Sequence, residues 1–362
     1  MKTLILAAGR FGFEMRQRIA AGREPRLDVF ELEERLDADV IDYFAAERSR
    51  HPAVQLALRT LGPSAGVAML GYQARHDYDA ILTTGEDIGL PLAALLKTSR
   101  ARCSHTMIAH TLFPKKKRVF FEILQVADRI DRILAYATSE ERLMIDELGI
   151  EPAKIERIYY HADELFFRPD GRATEKNLVC AAGQLLRDYD CLVDAVRDLP
   201  SRGVPLRVQI AAGSPWIERP LEPRRELPPH VSWGKLNRYE LRELYARSAV
   251  AVVPILQNEY QTGIATILEM MAMGKCVIVT RTNGQTDTIV DGETGIYVPP
   301  GDPLALRDAI ERVLGHPEEA ARLGAAARAF VEREAGLDRF VERLQKALHT
   351  GQKMRSERRS AA

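Results

Sequence analysis

The most informative stretch of the chain is Glu259–Glu269, which reads EYQTGIATILE. It follows an apolar run at 249–253 that predicts a buried strand. Beyond Gly263 the apolar residues recur at the spacing of one buried helix face, at Ile264, Ile267, Leu268 and Met271. In open α/β folds, ligands bind where strands end and helices begin. The stretch therefore predicts both an α/β fold and the position of a ligand site.

The start of this helix has the chemistry of a phosphate site. The first turn of a helix presents free N–H groups and the positive end of the dipole, and Gly263 has no Cβ to block an approaching phosphate. Glu269 lies off the predicted apolar face, on the same side as the small residues Ala265 and Ala272. Its carboxylate is suited to two neighbouring hydroxyls, as on a ribose. A solvated helix glutamate is the alternative.

The rest of the chain repeats this strand-to-helix alternation, which predicts two α/β domains with mostly parallel sheets. We predict a first domain at 1–165, a second at 166–350 and a disordered basic tail at 351–362. A segment at 159–176 without periodicity is the linker. The predicted strands are 3–8, 79–82, 106–110, 133–137, 177–182, 206–211, 249–253 and 276–280. The predicted helices are 90–96, 120–133, 140–148 (capped by Ser139), 191–198, 239–246, 264–273, 304–314 (capped by Asp302) and about 337–348. The last of these is expected to pack back toward the first domain.

Composition excludes several classes of protein. The 362 residues include 51 Lys or Arg and 51 Asp or Glu, so a nucleic-acid role for the whole chain is disfavoured. The four cysteines are scattered without C-x-x-C spacing, which suits a reducing cytosol and signals no zinc or redox site. The short apolar run after Met1 predicts a strand rather than a signal peptide. We therefore expect a cytoplasmic protein.

Downstream motifs extend the pattern. Asn283-Gly284 predicts a turn facing the same edge, Asp291–Gly295 reads DGETG, and Val298–Pro303 reads VPPGDP. The run from Glu259 to Pro303 resembles the C-terminal signature of retaining glycosyltransferases of family four (group 1). The resemblance implies the GT-B fold, in which two Rossmann-like domains face a central cleft, with the donor held mainly by the second domain. Weaker resemblance covers 158–169 and 182–189.

The resemblance also implies roles for single residues. Glu269 matches the second glutamate of the family's pair, which holds the donor ribose, and Thr266 matches a position that meets the diphosphate. Donor binding is thus assigned to Arg187, Gly263, Ile264, Ala265, Thr266 and Glu269. Arg187 would stabilise the charge of the departing diphosphate; a surface arginine is the alternative.

Two residues are assigned to the transferred sugar. Gln261 stands where the family has its first glutamate, and His110 fits the family's cleft histidine, with an ordinary polar strand end as the alternative. Two further departures are Ile264, one place after Gly263, where the family has its usual glycine, and Gln184, at a position that is basic in the family.

The implied reaction transfers a hexosyl group from a nucleotide diphosphate sugar, with a UDP sugar favoured, to a glycan, lipid-linked or small acceptor, as in polysaccharide biosynthesis. Because no nucleophile is evident, we expect front-face attack with retention, without metal or cofactor. Two alternatives stay open: a relative that binds nucleotide sugar without transferring it, and a nucleotide-sugar epimerase of the same fold.

Two local patterns have competing interpretations. Asp77-Tyr78-Asp79 and Asp188-Tyr189-Asp190 have the D-x-D spacing of some metal sites, but such triplets arise easily by chance and are interpreted as turn and cap residues. The cations Lys115, Lys116, Lys117 and Arg118 are interleaved with aromatics. They form either a solvated loop or a weak contact with anionic lipid or a polyanionic acceptor.

Overall fold

The computed structural model describes residues 1–99, 101–213, 219 and 221–361. It divides the chain into two compact units. Unit 1 contains 1–17, 26–158 and 340–362, and unit 2 contains 18–25 and 159–339. The boundary thus falls at 158 rather than at the predicted 165. The predicted strand end at 214–215 lies outside the described residues.

Unit 1 is built on a six-stranded sheet with helices around it. Its strands are β1 Thr3–Leu6, β2 Asp39–Ile41, β3 Ala80–Thr83, β4 Ser104–Ala109, β5 Arg132–Ala135 and β6 Ile155–Arg157. The helices of this half are α1 Phe13–Ala20, α2 Asp28–Leu36, α3 Tyr43–Arg48, α4 Pro52–Leu61, α5 Pro63–Ala74, α6 Glu86–Lys97, α7 Lys115–Glu122 and α8 Thr138–Arg142. The strand order is β2-β1-β3-β4-β5-β6, and every pair is parallel.

Unit 2 repeats this plan. Its strands are β7 Glu175–Ala182, β8 Arg207–Ala211, β9 Val231–Gly234, β10 Ser248–Val253, β11 Val277–Thr280 and β12 Ile296–Val298. The helices that follow β7 in the sequence are α9 Tyr189–Val196, α10 Arg238–Arg247, α11 Ile264–Ala272, α12 Pro303–Gly315, α13 Pro317–Phe330 and α14 Leu337–Ala361. From Phe340 onward, α14 belongs to unit 1. The order β12-β11-β10-β7-β8-β9 places the first strand, β7, between β8 and β10. The chain direction across the sheet reverses between β7 and β10, which is where open α/β sheets bind ligands.

Burial on both faces explains the apolar strands. In β10, Ala251 and Val253 face one hydrophobic cluster, whereas Val250 and Val252 face the other. A parallel sheet covered on both sides needs such continuous apolar strands. No helix within the described residues combines the length and apolar character needed to cross a bilayer.

The helix predictions were confirmed for α12 and wrong in two other places. Asp302 caps α12 by accepting from the N–H groups of Leu304 and Ala305, as predicted. The predicted helix 120–133 is wrong, because α7 ends at Glu122 and Gln125 adopts a left-handed φ of 49°. The predicted cap at Ser139 is also wrong, since α8 begins one residue earlier, at Thr138.

The predicted disordered tail at 351–362 is replaced by helix, because α14 continues to Ala361. The guanidinium groups of Arg355 and Arg358 lie 3.9 and 3.8 Å from the buried carboxylate of Asp131. Arg355 also donates to the carbonyl of Ala101 at 3.1 Å. These contacts lie within unit 1 and confirm that the last helix packs on the first half of the chain.

Candidate functional site

The loops after β7 and β10 form the centre of the candidate site in unit 2. An isolated antiparallel bridge joins Arg187, in the loop after β7, to Ile255, in the loop after β10. The N–H of Leu256 donates to the carbonyl of Leu186 at 3.0 Å. The two loops are therefore fixed to each other at the point where the strand order reverses.

Helix α11 starts at this point as predicted. Gly263 precedes it with a φ of 86°, a left-handed conformation that disfavours residues with a Cβ. A Cβ on Gly263 would also lie 3.3 Å from the guanidinium of Arg187. The first turn, Ile264-Ala265-Thr266, carries the helix N–H groups that have no partner within the helix. The predicted glycine and helix start are thus both present in the backbone.

Arg187 is buried against this helix start rather than lying on the surface, which excludes the surface alternative. Its guanidinium donates to the carbonyls of Ala182 and Leu185, each at 2.9 Å, and to the hydroxyl of Thr266 at 3.2 Å. A guanidinium has five N–H donors. Among the described residues three of them are used by these bonds, which leaves two that can bind an anion. Burial lowers the pKa of Arg187 because it disfavours the charged form.

A glycine makes room for this arginine. Gly183 has a φ of 104°, and a Cβ there would lie 2.3 Å from Nη2 of Arg187. Thr266 accepts from the arginine through its hydroxyl oxygen, so the hydroxyl proton can be donated elsewhere. Arg187, Thr266 and the first turn of α11 therefore converge on one place, as an anion site requires.

Glu269 differs from its predicted environment. It is 6% exposed, so both the predicted position off the core and the solvated alternative are wrong. Its carboxylate pairs with Arg238, at the start of α10, and accepts from the hydroxyl of Tyr245 at 3.4 Å. Burial raises its pKa, and Arg238 opposes that shift. The sequence missed Arg238 because no local pattern relates α10 to α11.

Gln261 lies in the loop before α11, where a polar cluster surrounds it. Its Nε2 is 3.4 Å from the hydroxyl of Thr288, and its Oε1 is buried without a hydrogen-bond partner among the described residues. The turn at Asn283-Gly284 packs on the same loop: Asn283 bonds Glu259 at 2.8 Å, and a Cβ on Gly284 would lie 2.1 Å from the carbonyl oxygen of Tyr260. The predicted convergence of this turn with the Glu259–Glu269 segment is confirmed.

His110 belongs to unit 1, where it directly follows β4. It is exposed, and its Nε2 lies 2.9 Å from the carbonyl oxygen of Thr84. Because a carbonyl only accepts, Nε2 must carry a proton, so in the neutral imidazole Nδ1 has the lone pair. The backbone N–H of His110 donates to Glu86 at 2.8 Å. The structure thus holds both backbone and ring of this histidine in one orientation.

The carboxylates beneath His110 had no signal in the sequence. Glu86 is 3% exposed and pairs with Lys117. Glu140 accepts from the N–H of Leu112 at 3.0 Å, and burial raises its pKa to about 7. Both glutamates lie in the first turn of a helix, where acidic residues are common. Only the fold shows that the two hold one loop.

The four-cation segment is only half exposed. Lys117 is buried against Glu86 and Asp87, and Arg118 pairs with Glu122 and Glu147 at 3.2 and 3.0 Å. Lys115 and Lys116 are exposed. The solvated-loop interpretation is therefore wrong, because the segment begins helix α7, and neither alternative holds for Lys117, which pairs with Glu86 in the core.

The D-x-D triplets have structural roles. Asp188 caps α9 by accepting from the N–H of Cys191, and Asp79 accepts from the N–H of Lys2 at 2.8 Å. The described residues contain no group of three or more His, Cys, Asp or Glu side chains arranged to hold a metal ion. The interpretation as a cap residue is confirmed for Asp188, whereas Asp79 binds the backbone of Lys2, next to β1.

The structure resembles solved glycosyltransferases over nearly its whole length. HepE of Anabaena, solved with UDP and glucose, matches with a TM-score of 0.68 and 16% identity, over 96% of this chain and 99% of that one. Sucrose-phosphate synthase of Thermosynechococcus elongatus matches with a TM-score of 0.68 and 18% identity, over 96% and 98%. The fold is therefore α/β of the GT-B class, as predicted.

Sequence comparison gives a family match for part of the chain. Residues 176–316 match the family described as glycosyl transferases group 1, a segment that contains the whole candidate site of unit 2. D-inositol 3-phosphate glycosyltransferase of Acidothermus cellulolyticus is 27% identical over 249 residues, which cover 62% of this chain and 55% of the relative. The chain spans about half the length of the curated relatives it matches first.

Proposed function

We propose that the protein is a group 1 glycosyltransferase that takes a hexosyl group from a nucleotide diphosphate sugar. The observation that carries the proposal is the buried Arg187 bonded to Thr266 at the start of α11. A cation with spare donors, a threonine hydroxyl and unpaired helix N–H groups form a site for a diphosphate. The group 1 match over 176–316 supports a sugar nucleotide as the ligand that carries it.

These groups would act on the leaving group. When the bond from sugar to phosphate breaks, negative charge grows on the diphosphate, and preorganised donors stabilise that charge. Arg187 and the first turn of α11 supply them without a metal ion. We propose front-face attack with retention, in which the leaving phosphate accepts the proton of the acceptor hydroxyl. Positioning and charge stabilisation then provide the rate.

We propose that the base is uracil, because HepE of Anabaena was solved with UDP and with UDP-glucose. Glu269 is proposed to bind the ribose hydroxyls. Its pairing with Arg238 requires that the ribose either share the carboxylate with the arginine or displace it. His110 is proposed to approach the transferred sugar through Nδ1, since Thr84 occupies Nε2.

A relative that binds donor without transferring sugar is the second candidate, and Gln261 in place of a glutamate favours it. A carboxylate can stabilise positive charge developing on a sugar ring, whereas an amide cannot. The two candidates share donor binding and differ in turnover. An epimerase would instead convert the donor without an acceptor.

The test is a thermal-shift screen with UDP, GDP and ADP sugars, followed by turnover assays. Ligand binding raises the melting temperature with dose, and we expect the UDP series to give the largest shift. The best donor is then incubated with candidate acceptors in excess EDTA, and product is expected. No shift with any sugar nucleotide would refute donor binding. A shift without transfer or hydrolysis would favour the binding relative, and loss in EDTA restored by manganese would refute the metal-free mechanism.

We also propose a weak contact of α7 with anionic lipid. Lys115 and Lys116 are exposed, and Ile123 and Leu124, which directly follow the helix, are 72% and 43% exposed. Cations beside exposed apolar side chains suit the interface of an anionic bilayer. A lipid-linked acceptor would be available at such a surface.

A further inference from the structure

A chain of hydrogen bonds runs from the backbone to Gln261, and its direction is fixed at each link. Nε2 of Gln285 lies 3.1 Å from the carbonyl oxygen of Thr262, which can only accept. Gln285 must therefore donate there and present its Oε1 on the other side. Because Gln285 is fully buried, its amide has no solvent to adjust to.

The next link uses the single proton of Thr288. Its hydroxyl lies 2.9 Å from Oε1 of Gln285, which can only accept, so the proton of Thr288 is committed to that bond. Toward Gln261 the same hydroxyl can only accept. Gln261 must therefore direct its Nε2 at Thr288, at the observed 3.4 Å.

The hydrogen-bond chain leaves the side-chain oxygen of Gln261 without a partner among the described residues. One N–H of Gln261 Nε2 is used by Thr288, and Oε1 of the same amide is buried. A buried acceptor without a partner costs about 1–3 kcal/mol, so a donor supplied by a ligand would stabilise this atom. Gln261 lies two residues before Gly263, beside the proposed diphosphate site.

We propose that Gln285 and Thr288 are positioning residues that fix the amide of Gln261 so that its Oε1 accepts a hydroxyl proton of the donor sugar. This inference rests on the proposed function and specifies the sugar end of the same site. It explains why a glutamine stands here. A carboxylate at 261 has no N–H for Thr288, whose proton is already committed to Gln285, so two acceptors would face each other.

The hydrogen-bond chain is tested first without ligand. A double-mutant cycle compares the free energies of unfolding of the variants in urea. Gln261→Glu should raise the unfolding equilibrium constant roughly fivefold or more in the natural background. In the Thr288→Val background no hydroxyl oxygen faces the carboxylate. There, Gln261→Glu should raise the unfolding equilibrium constant less than about twofold. Thr288→Ser keeps the hydroxyl and should restore the larger effect. Equal effects of Gln261→Glu in all three backgrounds would overturn the hydrogen-bond chain, whatever the protein binds.

The sugar contact is tested by comparing two affinities in each variant, for UDP-glucose and for UDP, by calorimetry. Thr288→Val should weaken UDP-glucose about tenfold and leave UDP within about twofold, because only the sugar meets Gln261. Thr288→Ser should keep the natural ratio. Equal weakening of both ligands, or of neither, would overturn the role of the chain in sugar binding. A further outcome is that the natural protein binds neither ligand although the unfolding cycle shows coupling. That result would refute the UDP-sugar site and the role of Gln285 and Thr288 in sugar binding, but it would leave the hydrogen-bond chain intact.

Discussion

At the scale of single residues, Glu269 shows how burial changes the meaning of a motif position. The spacing identified the residue, but its environment depends on Arg238 and Tyr245, which come from another helix. The carboxylate therefore has a structural partner in addition to its proposed ligand. Any variant at this position reports on both.

Glu269→Ala should lower the free energy of unfolding by about 3–5 kcal/mol, because it leaves the largely buried Arg238 without its counterion. Urea unfolding measures this. Glu269→Ala combined with Arg238→Met should recover part of the loss, since no unpaired charge is then buried. A single variant as stable as the natural protein would show that the ion pair does not contribute.

Gly183 gives a second prediction, because it controls the position of Arg187. Gly183→Ala should weaken UDP binding about as much as Arg187→Ala does, since the new methyl group would occupy the place of the guanidinium. Gly203→Ala is the matched control: its φ of 83° causes a similar backbone strain of about 1 kcal/mol, but nothing lies within 4 Å of its Cβ. Equal UDP affinities for the two glycine variants, measured by calorimetry, would contradict the assignment.

At the scale of elements, the loop after β4 depends on the first turns of α6 and α8. Glu86 and Glu140 accept from the N–H groups of His110 and Leu112. Burial raises the pKa of Glu140 from 4.5 to about 7, in surroundings that include Thr111, Glu86 and Lys117. The folded state therefore binds this proton more tightly than the unfolded state.

The sign of the pH dependence follows from that difference. The contribution of Glu140 to the free energy of unfolding is largest below pH 4.5 and falls as the pH rises to about 7. Glu140→Gln, which mimics the neutral acid, should match the natural protein near pH 4.5 and be more stable at pH 8, by at most about 3 kcal/mol. Urea unfolding at both pH values measures the difference. The same difference at both would contradict the assigned ionisation.

Helix α7 carries the lipid prediction. Replacing Lys115 and Lys116 by Glu should abolish binding to vesicles containing anionic lipid, because each cation contributes about 1 kcal/mol. Reversal of Lys353, an exposed lysine on α14, is the control and should have no effect. Binding is measured by sedimentation at low salt and should weaken as salt is added. Indifference of the natural protein to anionic vesicles would refute the contact.

The elements also show how far the sequence could predict this structure. Strands with both faces buried, such as β10, and helices with explicit caps, such as α12, were predicted within a few residues. The helix expected at 120–133 failed because its apolar spacing continues past Glu122, whereas pairing of β5 with β4 takes Arg132–Ala135 into the sheet. For the candidate site, the sequence predicted that Gly263 directly precedes α11, and the structure places Arg187 and Thr266 in contact beside it. Arg238, Gln285 and Thr288 were missed, because their contacts join segments far apart in the chain.

At the scale of the whole molecule, two parallel sheets of six strands each give the GT-B class, and unit 2 contains the group 1 match. We propose that a nucleotide diphosphate sugar binds in unit 2 at the start of α11. Arg187, Thr266 and the unpaired N–H groups of the first turn are the basis of this proposal.

The most direct test is a titration of the isotope-labelled protein with UDP-glucose, monitored through the backbone amide resonances in NMR spectra. We predict that the amides of Ile264, Ala265 and Thr266 shift together and saturate, and that Arg187→Ala weakens the titration at least about tenfold. Amides of β9, in the same unit but away from the strand-order reversal, should not move. Saturable binding that leaves the first turn of α11 unperturbed, or no binding of the sugar nucleotide at millimolar concentration, would contradict the account.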